Sequence, residues 1–159
     1  MKREVQVVLD NIRSSHNVGS IFRTCDGAGV SKLCLSGYTP APVDRFGRQQ
    51  AEIKKTSLGA CDTVPWEQVE EPDIESWLGE LKTRGFYIVA VEQDSLSIPL
   101  GDFDETAHSK ICYIFGNEID GVSAKILDLA DSIVQIPMQG KKESLNVSVT
   151  VGIVLFQSS

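Results

Sequence analysis

The chain has 159 residues, of which 42% are hydrophobic and 23% charged, and a formal net charge of −7. This length suits one domain with one core, and no apolar run approaches the roughly 20 residues that cross a bilayer, which argues against membrane insertion. The acidic balance argues against broad attraction to a polyanion, so any contact with nucleic acid must be local.

The N-terminus has a short basic start and then meets Glu4 and a strand-like run. It has neither the long apolar region nor the small-residue cleavage site of a signal peptide, which predicts a cytoplasmic protein. The four cysteines are scattered without a C-x-x-C pair, and there are only two histidines to complete a metal site. Neither a disulfide nor a metal site is therefore expected.

Apolar runs predict five β-strands in chain order, at residues 5–9, 32–35, 87–91, 111–115 and 132–136. Several of these runs are continuous, which is typical of strands covered on both faces of a parallel sheet. Helices are predicted between them, over residues 18–28, 74–84 and 123–130, and a long loop over residues 37–50. Alternating strands and helices predict an α/β architecture.

The first helix begins with the sequence NVGSIFRT. Its apolar residues follow one helical face, which leaves Arg23 on the polar face. Asn17 is predicted to cap the helix and Gly27 or Gly29 to end it. The N–H groups of the first turn, with the small Gly19 beside them, suit an anion or a polar ligand group. A capped helix with one solvated arginine is the alternative.

Two later segments combine a strand with a glycine-interrupted turn. IFGNEIDGVS follows the fourth predicted strand, and ligands of open α/β sheets sit at such carboxyl ends. Gly116 permits close approach or an unusual backbone angle, and Asn117 and Glu118 add polar atoms. A plain turn is the alternative.

The second such segment, IPMQGKKESLNVSV, follows the fifth predicted strand. It carries local positive charge and then two small polar residues, Ser144 and Asn146. A role as helix caps is the alternative for both. Residues 145–156 alternate apolar and polar positions and are rich in β-branched residues, which on local evidence predicts a strand.

Taken in order, NVGSIFRT, IFGNEIDGVS and IPMQGKKESLNVSVTVGIVLF resemble the three motifs of the SpoU/TrmH family of RNA ribose 2′-O-methyltransferases, in the SPOUT superfamily. The match spans residues 11–156. The resemblance implies transfer of a methyl group from S-adenosylmethionine to a ribose 2′-hydroxyl of tRNA or rRNA. It also implies a homodimer whose active sites use residues of both subunits.

For the fold, the resemblance implies a parallel sheet flanked by helices with a C-terminal deep trefoil knot, an exception to the rule against knotted chains. Residues 1–159 are expected to be a single SPOUT domain without a separate RNA-binding extension. The third motif is implied to lead into a helix, which overrides the strand predicted for residues 145–156.

The resemblance also implies site residues. The motif positions expected in catalysis are Asn17, Arg23, Glu118, Ser144 and Asn146. Those expected around the cofactor, mostly through backbone, are Ala90, Val91, Gly116, Asn117, Ile136, Met138, Leu145 and Asn146. Candidate RNA contacts are Arg13, Arg23, Arg45, Arg48, Lys141 and Lys142, with Lys54 and Lys55 as further candidates.

Three other functions stay open. A non-catalytic RNA-binding protein could keep the fold, although it has no chemical need for all five motif residues. A SPOUT methyltransferase could modify a base, although Arg23 and the N-E and S-L-N motifs resemble the ribose branch. An unrelated phosphate-binding α/β protein is the most distant alternative.

Overall fold

The structure is a computed structural model that describes residues 2–157. Seven strands form one sheet in the order β3-β2-β1-β6-β4-β7-β5, and every pairing is parallel. The strands are β1 Glu4–Asp10, β2 Lys32–Ser36, β3 Trp66–Val69, β4 Tyr87–Val91, β5 Ile98–Pro99, β6 Lys110–Gly116 and β7 Ser132–Gln135.

Helices cover both faces of the sheet. They are α1 Ser15–Ala28, α2 Ala51–Ser57, α3 Ala60–Thr63, α4 Ile74–Thr83, α5 Ala124–Leu129 and α6 Val147–Phe156, with 3-10 turns at Glu71–Asp73, Leu100–Asp102 and Glu105–Ala107. Val7 and Leu9 of β1 belong to the core that includes residues of α1 and α6. Val8 points to the other core, with residues of α4 and α5. Each central strand is therefore buried on both sides, as the continuous apolar runs predict.

The register brings the carboxyl ends of the central strands together. Asp10 of β1 is level with Gly116 of β6, and Val91 of β4 lies between Phe115 and Val134. Loops that leave β1, β4, β6 and β7 therefore start at one edge of the sheet. We call this the carboxyl edge, and it is where ligands of parallel sheets bind.

All five predicted strands and all three predicted helices are confirmed, with ends shifted by up to three residues. The predicted cap of α1 is wrong. Ser14 is the N-cap, and its hydroxyl oxygen accepts the Asn17 backbone N–H at 3.1 Å. Gly29 ends the helix with a φ of 74°, in the left-handed region that suits glycine. The cap at Ser14 leaves the Asn17 side chain free for another partner.

The proposed ligand role of Gly19 is also wrong. A Cβ at this position would lie 1.8 Å from the Thr56 hydroxyl oxygen and 2.9 Å from the Ile53 carbonyl oxygen, both on α2. Gly19 therefore allows α1 and α2 to pack closely. Ser14 already accepts the N–H groups of Asn17 and Val18, so the first turn offers less to an anion than its sequence indicates.

The strand predicted locally for residues 145–156 is wrong, and the helix implied by the resemblance is confirmed as α6. Val147, Val151 and Val154 are its buried residues and follow the helical spacing. Val149 and Ile153 are 49% and 40% exposed on the remaining surface. The alternating pattern arises because α6 carries apolar side chains on both its buried and its exposed sides.

The loop predicted over residues 37–50 is confirmed, with a single bridge between Val43 and Gln49. The four cysteines are buried free thiols. Among residues 2–157 no helix is long and apolar enough to cross a membrane.

Candidate active site at the carboxyl edge

A cavity of about 280 Å³ lies at the carboxyl edge and combines three segments of the chain. They are the end of β4, the turn after β6, and the segment from the end of β7 into α6. The lining residues are Val91, Glu92, Gln93, Phe115, Gly116, Asn117, Glu118, Ile136, Met138, Glu143, Ser144, Leu145, Val147 and Thr150. We call this the motif cavity.

Most of the residues predicted around the cofactor line the motif cavity. Those that do are Val91, Gly116, Asn117, Ile136, Met138 and Leu145. Ala90 and Asn146 are not among its lining residues. Ala90 is fully buried within β4, and Asn146 instead caps α6.

Asn117 shapes the turn that follows β6. Its side-chain oxygen accepts the backbone N–H groups of Ile119 at 2.7 Å and Asp120 at 3.1 Å. Its amide group donates to the Asn11 carbonyl oxygen at 3.1 Å and the Tyr38 hydroxyl at 3.0 Å. The buried asparagine thus ties this turn to the loops after β1 and β2, and fixes the adjacent Glu118.

Gly116 makes the same turn possible. A Cβ on Gly116 would lie 2.4 Å from the Gly121 carbonyl carbon and 2.4 Å from the Val122 backbone nitrogen. The close approach at this glycine is therefore to the protein's own backbone. This contact folds the turn back onto the end of β6 and so forms one wall of the motif cavity.

The structure joins the first two motifs by a hydrogen bond. The Asn17 side-chain amide donates to Glu118 Oε1 at 3.1 Å. Asn17 is buried in α1, whereas Glu118 is exposed at the mouth of the motif cavity. The contact orients the carboxylate without requiring it to leave water.

The third motif supplies one lining residue and one cap. Ser144 lines the motif cavity. Asn146 is the N-cap of α6, and its Oδ1 accepts the Ser148 backbone N–H at 2.9 Å and the Ser148 hydroxyl at 2.7 Å. Asn146 therefore sets where α6 begins and where the preceding loop ends.

Several polar residues that were not predicted also line the motif cavity, including Glu92, Gln93 and Glu143. Glu92 accepts the Val122 backbone N–H at 2.7 Å, and Gln93 donates its amide to the Glu143 carbonyl oxygen at 2.6 Å. Both follow β4 directly. Their position just after a buried strand at the carboxyl edge is the signal that could have identified them.

Arg23 is not a lining residue of the motif cavity. It lines a second cavity with Asp26 and the turn between α2 and α3, which includes Leu58 and Gly59. Arg23 is exposed to solvent. One copy of the chain therefore brings Asn17, Glu118 and Ser144 together but does not bring Arg23 to the same cavity.

All six predicted RNA contacts are exposed. Five of them lie on loops that leave the carboxyl ends of strands: Arg13 after β1, Arg45 and Arg48 after β2, and Lys141 and Lys142 after β7. Arg23 is on α1. Of the two further candidates, Lys54 forms an ion pair with Asp62 at 2.7 Å.

Residues 4–156 match the model of the SpoU rRNA Methylase family. The matched segment contains the whole sheet and all three motifs. The chain belongs to the SpoU methylase family. The resemblance of the three motifs to this family is thereby confirmed.

Curated members of the SpoU family align with nearly the whole chain. A tRNA (guanosine(18)-2′-O)-methyltransferase from Aquifex aeolicus is 36% identical over 163 aligned residues, covering 99% of this chain and 69% of the relative. A 23S rRNA (guanosine-2′-O-)-methyltransferase from Bordetella pertussis is 32% identical, covering 96% of this chain and 58% of the relative. The chain thus spans little more than half of some SpoU relatives.

Solved SpoU structures share the fold. An rRNA methyltransferase from Sinorhizobium meliloti, with AdoMet bound, superposes with a TM-score of 0.86 at 27% identity, covering 99% of this chain and 56% of that one. The A. aeolicus TrmH/SpoU tRNA modifying enzyme gives 0.81 at 33% identity, with coverages of 98% and 74%. These structures confirm the parallel sheet flanked by helices.

Among the described residues, no group of three or more histidine, cysteine or acidic side chains is arranged to hold a metal ion. The chemical groups of the motif cavity are instead carboxylates, amides, two hydroxyls and apolar side chains.

Proposed function

We propose that this chain transfers a methyl group from S-adenosylmethionine to a ribose 2′-hydroxyl of tRNA or rRNA. The observation that carries the proposal is the Asn17–Glu118 hydrogen bond at the mouth of a cavity built by the second and third motifs. The curated relatives named above act on guanosine 2′-oxygens of tRNA and rRNA. With these substrates the protein works in the cytoplasm.

The lining of the motif cavity fits S-adenosylmethionine. Val91, Phe115 and Leu145 offer apolar surface for a flat base, and Glu92, Glu118 and Glu143 offer negative charge for a cationic ligand. The backbone near Gly116, Ile136, Met138 and Leu145 would hold the ligand, as the resemblance implies. When bound, S-adenosylmethionine supplies an electrophilic methyl group on a positively charged sulfur.

Transfer requires a new carbon–oxygen bond to form as the carbon–sulfur bond breaks, and the ribose hydroxyl must lose its proton. Arg23 is unsuited to accept that proton, because a guanidinium stays protonated in proteins. We assign to Arg23 the binding of the 2′-oxygen or an adjacent phosphate, where it stabilises developing negative charge. Asn17 and Glu118 orient the acceptor side, which raises the rate through positioning.

We propose that a second copy of the chain supplies Arg23 to the motif cavity. Two observations support this proposal. Within one copy, Arg23 is not among the residues that line the motif cavity. Helix α6, which begins at this cavity, exposes the apolar side chains of Val149 and Ile153. Apolar residues on one exposed helix surface suit a homodimer contact. Each active site then combines Arg23 of one subunit with Glu118 of the other.

Co-expression of Arg23→Ala and Glu118→Gln chains tests this arrangement. In a shared site, a mixed dimer keeps one intact site, so random pairing of equal amounts should recover about a quarter of wild-type activity. Arg23→Ala alone should be inactive, and Glu118→Gln alone should keep at most about a tenth of wild-type activity. No recovery, with mixed dimers demonstrated by mass spectrometry, would show that Arg23 acts within its own chain.

We also propose that the C-terminal part of the chain is tied in a deep trefoil knot. The strand order supports it, because β6 and β7 flank β4 although both follow it in sequence. Stretching the chain from its ends in an optical trap tests it. A knot makes the fully extended chain shorter than its residue count allows, whereas an unknotted chain reaches full length.

Incubation with unmodified RNA and labelled S-adenosylmethionine, followed by nucleoside analysis, tests the reaction. Label in a 2′-O-methylated nucleoside supports the proposal, and label on a base contradicts it. Arg23→Ala should abolish transfer and leave cofactor affinity nearly unchanged. Cofactor and RNA binding without transfer to any RNA would favour the non-catalytic alternative.

A further inference from the structure

The loop after β2 presents an aromatic ring flanked by two arginines. Phe46 is 68% exposed. The guanidinium carbon of Arg45 lies 4.9 Å from the centre of the Phe46 ring, and that of Arg48 lies 5.0 Å from it. The motif residues do not include Phe46, and the proposed reaction does not use it.

Asp44 holds this loop in a fixed shape. Its Oδ1 accepts the backbone N–H groups of Phe46 and Arg48, each at 2.9 Å, and its Oδ2 accepts the Arg48 side chain at 2.9 Å. The hydrogen bonds that Asp44 accepts from Arg48 and from the Phe46 N–H hold the pKa of its carboxyl group below the usual value. The carboxylate therefore stays ionised at neutral pH. Its hydrogen bonds hold the Phe46 ring at the surface before any ligand binds.

The two arginines differ in their other contacts. Arg48 is tied to Asp44 by the ion pair, so it stays beside the ring. Among residues 2–157, the side-chain contact that the structure shows for Arg45 is the cation–π contact with the Phe46 ring. Arg45 can therefore leave the ring while Arg48 stays, and this exposes a ring surface without breaking an ion pair.

The loop is connected to the motif cavity. Tyr38, at the start of the loop, accepts a hydrogen bond from Asn117, which lines the cavity. Arg13 lies over the Tyr38 ring at 5.7 Å. An RNA strand that enters the motif cavity would pass the same edge of the sheet on which Arg13, Arg45 and Arg48 lie.

We propose that Phe46 is a stacking site for an unpaired base of the RNA, a step that rests on the proposed function. Unpaired bases stack on aromatic rings and on guanidinium planes, and such stacking tolerates any base. On binding, Arg45 moves from the ring to a backbone phosphate, and Arg48 keeps its place beside the ring. A chain with a net charge of −7 has little general attraction for a polyanion. At this site, base stacking on Phe46 adds to the local positive charge of the two arginines, which explains how such a chain binds RNA.

Steady-state methylation by Phe46→Ala and Phe46→Trp chains tests the site, with Leu96→Ala as the matched control. Leu96 is 78% exposed and, like Phe46, lies two residues after an aspartate, Asp94, whose side chain accepts its backbone N–H at 3.0 Å. Phe46→Ala should raise the KM for RNA about tenfold, with kcat and cofactor affinity unchanged. Phe46→Trp should keep the wild-type KM, and Leu96→Ala should leave it unchanged.

A second measurement needs no methyl transfer. Single-stranded RNA oligonucleotides should quench the fluorescence of Phe46→Trp beyond that of the wild type, whose own two tryptophans supply the background. Equal quenching in both proteins would overturn the inference, as would an unchanged KM in Phe46→Ala. A dimer that becomes a monomer in Phe46→Ala would overturn it too, because the ring would then be a contact between copies.

These results separate the inference from the proposed function. Methylation of RNA with no effect of Phe46→Ala rejects the stacking site alone. Specific quenching of Phe46→Trp by RNA, without methylation of any RNA by the wild type, rejects the reaction and keeps the stacking site.

Discussion

Asn17, Asn117 and Asn146 use the same side-chain amide in three different ways. Asn17 donates to a carboxylate, Asn117 both donates and accepts, and Asn146 accepts at a helix N-terminus. Replacement by aspartate should therefore have different effects at the three positions. It removes the donor and adds a like charge beside Glu118 at position 17, whereas at position 146 it keeps the acceptor that the cap requires.

The Asn17–Glu118 contact predicts coupled effects on activity. Asn17→Ala and Glu118→Ala should each lower kcat/KM by roughly tenfold or more, because each removes one partner of a charge-assisted hydrogen bond. The double variant should be little worse than the poorer single variant. Ser20→Ala, one turn along α1, serves as the control. Losses that simply multiply in the double variant would show that the two residues act independently.

Gly116 predicts a large effect on stability. Gly116→Ala should lower the free energy of unfolding by about 2 kcal/mol or more, because its Cβ would meet backbone atoms that cannot move aside cheaply. Cofactor affinity should fall with it. Urea denaturation and calorimetric titration measure the two effects.

Gly79→Ala is the opposite case for the same substitution. Gly79 is inside α4, and a Cβ there would have no atom within 4 Å. Alanine should therefore raise the free energy of unfolding by about 0.5–1 kcal/mol. A similar loss in both variants would mean that the close contact at Gly116 does not determine stability.

At the scale of elements, the strands that are buried on both faces of the sheet are predicted from the sequence, and the strands at its two edges are not. The strands β4 and β6 were predicted because their runs are continuously apolar, and β1 because only Gln6 interrupts its run. The strands β3 and β5 lie at the two edges of the sheet and have four and two residues, with few buried side chains, so no run marks them. The alternating apolar pattern of residues 145–156 predicted a strand, although these residues form α6. The pattern arises because α6 has apolar residues on its exposed side as well as on its buried side.

The candidate site shows the same division. Short motifs predicted most of the cavity lining, because each motif is a contiguous segment at the end of a strand. Glu92 and Gln93 were missed because they belong to none of the three motifs, and only their position directly after β4 marks them. The separation of Arg23 from the motif cavity depends on how α1 packs on the sheet, and no local pattern of residues encodes that.

The cap of α6 gives a prediction at this scale. Asn146→Ala should lower the free energy of unfolding by about 1 kcal/mol, since it removes the acceptor of the Ser148 N–H. Asn146→Asp should retain the stability. Methylation by Asn146→Asp then separates two roles: wild-type activity means that Asn146 acts through the cap, and loss of activity means that its amide N–H groups are required.

At the scale of the whole molecule, two cores on opposite faces share the central strands, and the four buried thiols lie within them. Three of these thiols are Cys25, Cys34 and Cys112. Burial raises the pKa of each of these three thiols well above its usual value. Their protons are therefore held more tightly in the folded chain than in the unfolded one.

These thiols predict a loss of stability in alkali. The contribution is fully present below the unfolded thiol pKa of about 8.5 and is lost as pH rises towards the folded values. Above pH 9 each thiol should lower the free energy of unfolding by up to about 1.4 kcal/mol per pH unit. Denaturation curves between pH 7 and pH 10 measure the slope. Cys25→Ala should have a shallower slope than wild type, and an equal slope would contradict the prediction.

The order of the strands has a consequence for biosynthesis. Strand β4 pairs with β6 and β7, and both are translated after it. The nascent chain therefore leaves the ribosome with an apolar strand that has no partner in the sheet until β6 has emerged. The central sheet therefore cannot be completed before β6 and β7 have been synthesised, and the edges of β4 stay unpaired until then.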